Sequence, residues 1–175
     1  TVTFDYTITD GDGDVSTATV TITLAADSTP RIEVVPSAPN AAGHDEVDEA
    51  GLEAGSDAAS NSEFASGTFT ITTGNDTIGS LVINGTDVTA GGIVAGAYGT
   101  LTVTLAGGVY SYSYELTTNT DGDATFDQFD VVVTDSDGDI ADDTLVIDIV
   151  DDVPTARDDS ASPAEDTAVV IDVFA

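Results

Sequence analysis

The stretch Phe126–Asp152, which reads FDQFDVVVTDSDGDIADDTLVIDIVDD, decides the fold of this chain. It contains two runs in which apolar and polar side chains alternate. The apolar positions are Phe129, Val131 and Val133 in the first run and Leu145, Ile147 and Ile149 in the second. A period of two is typical of strands that bury one face. We therefore predict two antiparallel strands joined by the acidic turn Asp135-Ser-Asp-Gly-Asp139.

This acidic turn has the composition of a cation-binding loop. Asp135, Asp137 and Asp139 carry carboxylates at alternate positions, and these repel one another unless a cation lies among them. The turn is not an EF-hand, because Ile140 and Val146 stand where the EF-hand needs its glycine and its bidentate glutamate. A solvated β-turn is the alternative, since Asp and Gly favour turns for backbone reasons alone. We favour calcium, because the motif occurs twice and further aspartates accompany it.

The second occurrence of the motif lies near the start of the chain. Residues 4–27 align with residues 129–152 without a gap, and Asp10, Asp12 and Asp14 fall at the positions of the acidic turn. Internal repetition of this kind indicates an array of similar modules.

The repeat also predicts the domain boundaries. A proline follows each copy, Pro30 after the first and Pro154 after the second. The chain begins at Thr1 without a signal peptide, so we expect a fragment of a longer protein. The predicted units are the closing hairpin of one module at 1–27, a complete module at 28–152 and the opening strands of a following module at 153–175.

The composition limits the classes of partner. The chain has 33 acidic residues against two basic ones, a formal net charge of -31. Such a charge argues against nucleic-acid and acidic-membrane partners, and it destabilises a compact state unless cations offset it. Hydrophobic residues make up 41% of the chain, which argues against disorder. There is no cysteine, so a bound metal would have to take the place of disulfides.

The complete module reads as an all-β protein. Alternating runs separated by glycine-rich turns recur along it, and no segment has helical periodicity. Residues 38–62 are rich in Ala, Gly, Ser and acids and read as a long loop. We predict an immunoglobulin-like antiparallel β-sandwich in a tandem array. The predicted strands, besides the two above, are Arg31–Val35, Phe64–Thr73, Leu81–Asn84, Thr100–Ala106 and Val109–Leu116.

Strand direction predicts which acidic residues meet. In an immunoglobulin-like sandwich the turn before the last strand lies at the same end as the N-terminus of the domain, so Asp135–Asp139 should share one ion cluster with Asp27 of the linker. The last strand ends at the opposite end, which the acidic loop after the first strand can reach. Each junction could then supply the roughly six to eight oxygens that calcium takes. The predicted metal ligands are Asp10, Asp12, Asp14, Asp27, Glu46, Glu49, Asp135, Asp137, Asp139, Asp151 and Asp152.

Other chemistries find little support. His44 is the single histidine, and it has neither the partners of a zinc site nor those of a catalytic nucleophile. Gly74–Gly79 resembles one turn of the glycine-rich calcium-binding nonapeptide repeat, but a single copy cannot stack into a β-helix. The acids cluster in turns and linkers, and no tryptophan is present to grip a sugar. We expect no enzyme, no organic cofactor and no small-molecule substrate.

The order of several short motifs resembles a known family. The motifs are Val47–Leu52, Ser66–Thr70, Leu81–Val88, Tyr98–Val103, Tyr110–Leu116, Phe129–Asp139 and Asp151–Pro154. In this order they are similar to the type I secretion repeat of giant bacterial RTX adhesins and biofilm-associated proteins. Ala164–Thr167 and Val170–Val173 resemble the start of a related cadherin-like tandem repeat.

The resemblance implies a role outside the cell. It implies type I secretion, a cell-surface location and a calcium-rigidified spacer in a chain of immunoglobulin-like domains. The expected partners are the neighbouring modules of the same chain, joined through calcium-bridged junctions, and the expected process is cell adhesion and biofilm formation. Two alternatives stay open: an adhesin module that itself binds a glycan or protein, and the non-catalytic β-domain of a secreted hydrolase.

Overall fold

The computed structural model describes residues 1–122, 124–153, 158, 160–162, 164–166, 168 and 170. These residues form twelve strands and one 3₁₀ turn at Glu49–Gly51, and they contain no α-helix. The strands predicted within 153–175 fall for the most part outside the described residues. The strands are β1 (Val2–Thr9), β2 (Val15–Ile22), β3 (Arg31–Pro36), β4 (Asp45–Asp48), β5 (Phe64–Thr72), β6 (Ile78–Ile83), β7 (Thr86–Asp87), β8 (Gly92–Ala95), β9 (Gly99–Ala106), β10 (Val109–Leu116), β11 (Thr125–Asp135) and β12 (Ile140–Val150).

Two five-stranded sheets face each other as a sandwich. One has the order β3-β5-β10-β9-β8 and the other β4-β12-β11-β6-β7, while β1 and β2, within the described residues, pair only with each other. All neighbours are antiparallel except β4 and β12, which are parallel. The positions of β3, β5, β10 and β9 match strands A, B, E and D of an immunoglobulin domain, and β6, β11 and β12 match C, F and G. The predicted all-β, immunoglobulin-like sandwich is confirmed.

The core lies between the sheets and follows the alternation in the sequence. Phe129, Val131 and Val133 on β11 are completely buried, and Ile147 on β12 is as well. β11 pairs with β12 so that Phe129 is opposite Leu145. The facing sheet contributes the alternating tyrosines Tyr110, Tyr112 and Tyr114, each at most 3% exposed. Burial of these side chains supplies most of the stabilisation, because apolar surface removed from water is the largest favourable term in folding.

The prediction of a continuous loop over residues 38–62 was wrong in part. The segment Asp45–Asp48 forms β4, which pairs in parallel with β12. Asp45 and Val47 face inward and are buried, and this alternation is hidden in the sequence because one inward residue is an acid. The short strands β7 and β8 were also missed, since two and four residues carry almost no periodic signal.

Two buried tyrosine–aspartate contacts connect the sheets. The Tyr112 hydroxyl of β10 donates to Asp45 Oδ2 on β4 at 2.5 Å, and the Tyr114 hydroxyl donates to Asp127 Oδ2 on β11 at 2.7 Å. Asp127 also accepts the N–H groups of Ala97, Tyr98 and Gly99, at 2.8, 3.2 and 3.1 Å. Burial, and then the bonded carboxylate, raise the pKa of both tyrosines. β10 is thus fixed to two separate strands of the opposite sheet.

The hairpin formed by β1 and β2 stands apart from the sandwich. Phe4 is 51% exposed and Ile8 63%, whereas Phe129, which aligns with Phe4, is completely buried. An isolated pair of strands is marginally stable in water. Among the described residues, none covers the apolar face of this hairpin. Its assignment as the closing hairpin of a preceding module stays a prediction.

Candidate metal sites

The turn between β11 and β12 is closed by the side chain of its first residue. Asp135 Oδ1 accepts the N–H groups of Gly138 at 3.1 Å and Asp139 at 2.8 Å. The N–H of Asp135 in turn donates to the carbonyl of Asp139 at 3.0 Å. Gly138 has φ 109°, a conformation that a residue with a side chain rarely adopts. The turn therefore has a fixed shape, in which Asp135 Oδ1 accepts both N–H groups and Oδ2 accepts neither.

That second oxygen is buried without a hydrogen bond. Asp135 is 3% exposed, and its Oδ2 has no hydrogen-bond partner among the residues that the structure describes. Buried carboxylate oxygens are normally paired with donors, water or a cation, because an unpaired one loses its hydration without compensation. Asp135 Oδ2 is therefore an acceptor that a cation or a water molecule can pair with.

Two groups of carboxylates meet here. Asp76, Asp135 and Asp137 form one group, and Asp27, Asp137 and Asp139 form the other. Within each group the three ligand atoms lie within 4.8 Å of one another. Asp137 belongs to both. The structure therefore brings Asp27 of the linker to the β11–β12 turn, although the two are far apart in sequence.

The linker is also attached to the turn between β5 and β6. Ser28 Oγ lies 2.7 Å from Asp76 Oδ2 and 2.9 Å from the carbonyl of Thr73, and it accepts the N–H of Asn75 at 3.0 Å. Gly74 makes the approach possible: it has φ 63°, and a Cβ added to it would lie 2.5 Å from Ser28 Cβ. These contacts hold the residue after Asp27 against the sandwich.

The close approach of the carboxylates changes the pKa of two of them, Asp135 and Asp137. The pKa of Asp137 is raised to about 6. The main cause is the hydrogen bond that its protonated form would donate to Asp135, and the second is the one that it would donate to Asp27. Burial works to raise the pKa of Asp135, but the contact with Asp137 and the N–H groups of the turn outweigh it and lower the pKa. At neutral pH Asp135 and Asp137 are therefore mostly ionised. The whole chain has two basic residues, too few to balance this charge.

The turn of the β1–β2 hairpin repeats the local geometry without the partners. Asp10 Oδ1 accepts the N–H groups of Asp12, Gly13 and Asp14 at 3.3, 3.1 and 2.9 Å. Asp10, Asp12 and Asp14 form a group of three carboxylates, and all are exposed. The side chain of Asp12 and the N–H groups of the turn lower the pKa of Asp10. Among the described residues, no acid from outside the turn joins this group.

At the opposite end of the sandwich, Glu49 and Asp152 line one cleft. Glu49 is 4% exposed, and its Oε1 accepts the N–H of Thr120 at 2.6 Å. The carboxylate of Asp152 accepts the N–H and the hydroxyl of Ser56, both at 2.6 Å. These oxygens are paired within the protein, so the cleft has less need of a cation than the linker end.

Glu46 and Asp151 line a neighbouring cleft together with Asp148 and Phe126. The four acids predicted for the far end thus lie at that end but divide between two clefts. Within the described part of the chain, no group of three close carboxylates includes them. Their role as metal ligands stays a prediction.

Asp76 was missed as a candidate ligand, because the likeness of Gly74–Gly79 to a calcium-binding nonapeptide was set aside as a single copy that cannot stack. The signal lay in the topology: β6 pairs with β11, and Asp135 is opposite Ile78. In an immunoglobulin-like sandwich these strands are the neighbours C and F. The turn before β6 and the turn after β11 must therefore share one end of the sheet.

The chain matches no protein-family model and no curated protein. In the described residues, no helix has the length and apolar character needed to cross a membrane. The two carboxylate groups at the β11–β12 turn are the features from which we infer a function.

Proposed function

We propose that this chain is a calcium-rigidified extracellular spacer module of a large bacterial surface adhesin. The observation that carries the proposal is the group formed by Asp27 of the linker with Asp137 and Asp139 of the β11–β12 turn. A cation bound by these three residues connects the linker directly to the body of the module. The neighbouring modules of the same chain are the proposed partners.

Charge explains why the connection depends on a cation. Without one, the carboxylates on the two sides of the group repel each other and push the linker away from the turn. With one, the same carboxylates become ligands, and the linker can leave the sandwich in only one direction. Oxygen donors of this kind suit calcium, which accepts about six to eight of them in flexible geometry.

The proposed setting agrees with the chemistry of the chain. Extracellular calcium modules work with dissociation constants on the order of 10⁻⁴–10⁻³ M, so they stay loaded only where calcium is abundant. The chain has no cysteine, and bound ions would replace the disulfides of other secreted small domains. The resemblance to repeats of RTX adhesins supports type I secretion, a cell-surface location and a part in adhesion and biofilm formation.

The test measures how firmly the hairpin β1–β2 is held relative to the sandwich. Because the chain has no cysteine, spin labels can be placed specifically at the exposed positions Ser16→Cys and Thr104→Cys. Double electron–electron resonance should show a narrow distance distribution in calcium and a broad one after chelation. Asp27→Asn should give the broad distribution even in calcium. Glu33→Gln, which removes an exposed carboxylate on β3, should behave like the unaltered protein.

A distribution with the same width in calcium, in chelator and in the Asp27→Asn variant would refute the proposal. It would mean that the linker is held by Ser28 and its neighbours alone, and that the acidic group is a solvated surface.

A further inference from the structure

The second carboxylate group lies inside the module and does not involve the linker acid. It consists of Asp76 from the β5–β6 turn and of Asp135 and Asp137 from the β11–β12 turn. In this inner group Asp76 is half-buried, Asp135 is buried and Asp137 is exposed, whereas in the linker group Asp27 and Asp137 are exposed and Asp139 is half-buried. This inner group is thus better shielded from water than the linker group.

Asp135 supplies an independent indication of a ligand. Its Oδ1 is engaged by two N–H groups of the turn, so the unpaired atom is specifically Oδ2. The hydroxyl groups nearby are directed to a different residue: Ser28 Oγ is 2.7 Å from Asp76 Oδ2, and Ser136 Oγ is 3.4 Å from Asp76 Oδ1. With Asp137 ionised, no donor of the described chain therefore pairs with Asp135 Oδ2, and a ligand oxygen of Asp135 lies within 4.8 Å of those of Asp76 and Asp137.

We propose that Asp76, Asp135 and Asp137 bind a second divalent cation, and that this inner ion and the linker ion share the carboxylate of Asp137. A hard cation with oxygen ligands fits a group made only of carboxylates. The choice of calcium rests on the proposed function, while the existence of the inner site rests on the unpaired oxygen of Asp135.

Sharing Asp137 has a consequence for assembly of the junction. The inner ion draws the Asp137 carboxylate toward Asp135 and Asp76, and so positions it for the linker ion. Asp76 also contacts Ser28, the residue after Asp27. Loss of the inner ion should therefore weaken the linker ion, whereas loss of Asp27 should leave the inner ion in place.

The test counts calcium ions bound to the full chain by calorimetric titration after chelation. Relative to the unaltered protein, Asp76→Asn and Asp27→Asn should each lose one ion, and Asp137→Asn should lose two. In Asp76→Asn the amide oxygen can accept from Ser28 Oγ and the amide nitrogen can donate to Ser136 Oγ, so both contacts of the turn can be kept. Ser136→Ala removes a neighbour of Asp76 but no carboxylate, and Glu33→Gln removes a distant carboxylate. Both should keep the full count.

Manganese(II) reports on the shared carboxylate separately. With Mn²⁺ as the bound ion, electron paramagnetic resonance should show a component broadened by a neighbouring ion, and Asp76→Asn should abolish that component. If Asp76→Asn keeps the full calcium count, the inner site is refuted, and a loss of one ion in Asp27→Asn would still support the spacer. If Asp137→Asn loses only one ion, the sharing is refuted. If none of the three variants loses an ion, both proposals fail.

Discussion

Removal of calcium should lower the melting temperature of this chain by about 20 °C. The two carboxylate groups at the β11–β12 turn form only when folding brings this turn together with the β5–β6 turn and the linker. An ion that binds the folded state alone, at about a hundredfold above its dissociation constant, adds about 2.7 kcal/mol to the free energy of unfolding. Two such ions add about 5 kcal/mol. For a domain of this size, about 4 °C of melting temperature corresponds to each kcal/mol.

Circular dichroism melts in millimolar calcium and in excess EGTA measure this shift. In calcium, the melting temperature of Asp137→Asn should be close to that of the chelated protein, because the Asp137 carboxylate belongs to both groups. Glu33→Gln should show the full calcium effect. A chelated protein that melts within about 5 °C of the calcium form would refute the reasoning, since neither site would then be filled in the folded state.

Three further predictions concern the metal preference, the core and the alkaline limit. Magnesium should restore only a small part of the calcium-induced shift in the melt, because it requires a tighter octahedral geometry. Asp127→Ala should lower the free energy of unfolding, measured in urea titrations, by about 4 kcal/mol. The reason is that the Tyr114 hydroxyl and three N–H groups lose their acceptor, at about 1 kcal/mol each. As a control, Asp130→Ala at an exposed position of the same strand should lower it by less than about 0.5 kcal/mol. The raised pKa of Tyr112 and Tyr114, caused first by burial, means that stability is complete below the unfolded pKa of about 10 and falls as the pH rises above it. In Tyr112→Phe, the urea midpoint of unfolding should fall less steeply with rising pH. The chain has no lysine, so no ammonium group titrates in the same pH range.

The sequence was sufficient to predict the fold class and the two strands that dominate the core. The alternation of Phe129, Val131 and Val133 gives the buried face directly, because a strand buried on one side must repeat every second residue. β4 could not be read in the same way. Its inward positions are Asp45 and Val47, and the aspartate is tolerated there only because the Tyr112 hydroxyl donates to it. That contact comes from the opposite sheet and leaves no local signal.

The candidate site was predictable where strand direction decides it. Asp27 and the β11–β12 turn had to share one end of the sandwich, and the structure brings Asp27 together with Asp137 and Asp139. Asp76 was not predictable from local sequence, since its relevance depends on the pairing of β6 with β11. At the far end, Glu49 and Asp152 are paired with Thr120 and Ser56, contacts that the clustering of acids in the sequence does not reveal.

The parallel pairing of β4 with β12 determines how the module responds to tension. β12 is the last strand of the described residues, and β4 lies near the start of the module. The two are in register from Asp45 opposite Ile147 to Asp48 opposite Val150. When the two ends of the module are pulled apart, the parallel strands β4 and β12 slide along each other in opposite directions. The hydrogen bonds between them are then loaded in shear, so they must break together. An antiparallel pair pulled from adjacent ends would instead open one bond at a time. Because forced unfolding is governed by the unfolding rate, this short strand pair sets a kinetic barrier against extension.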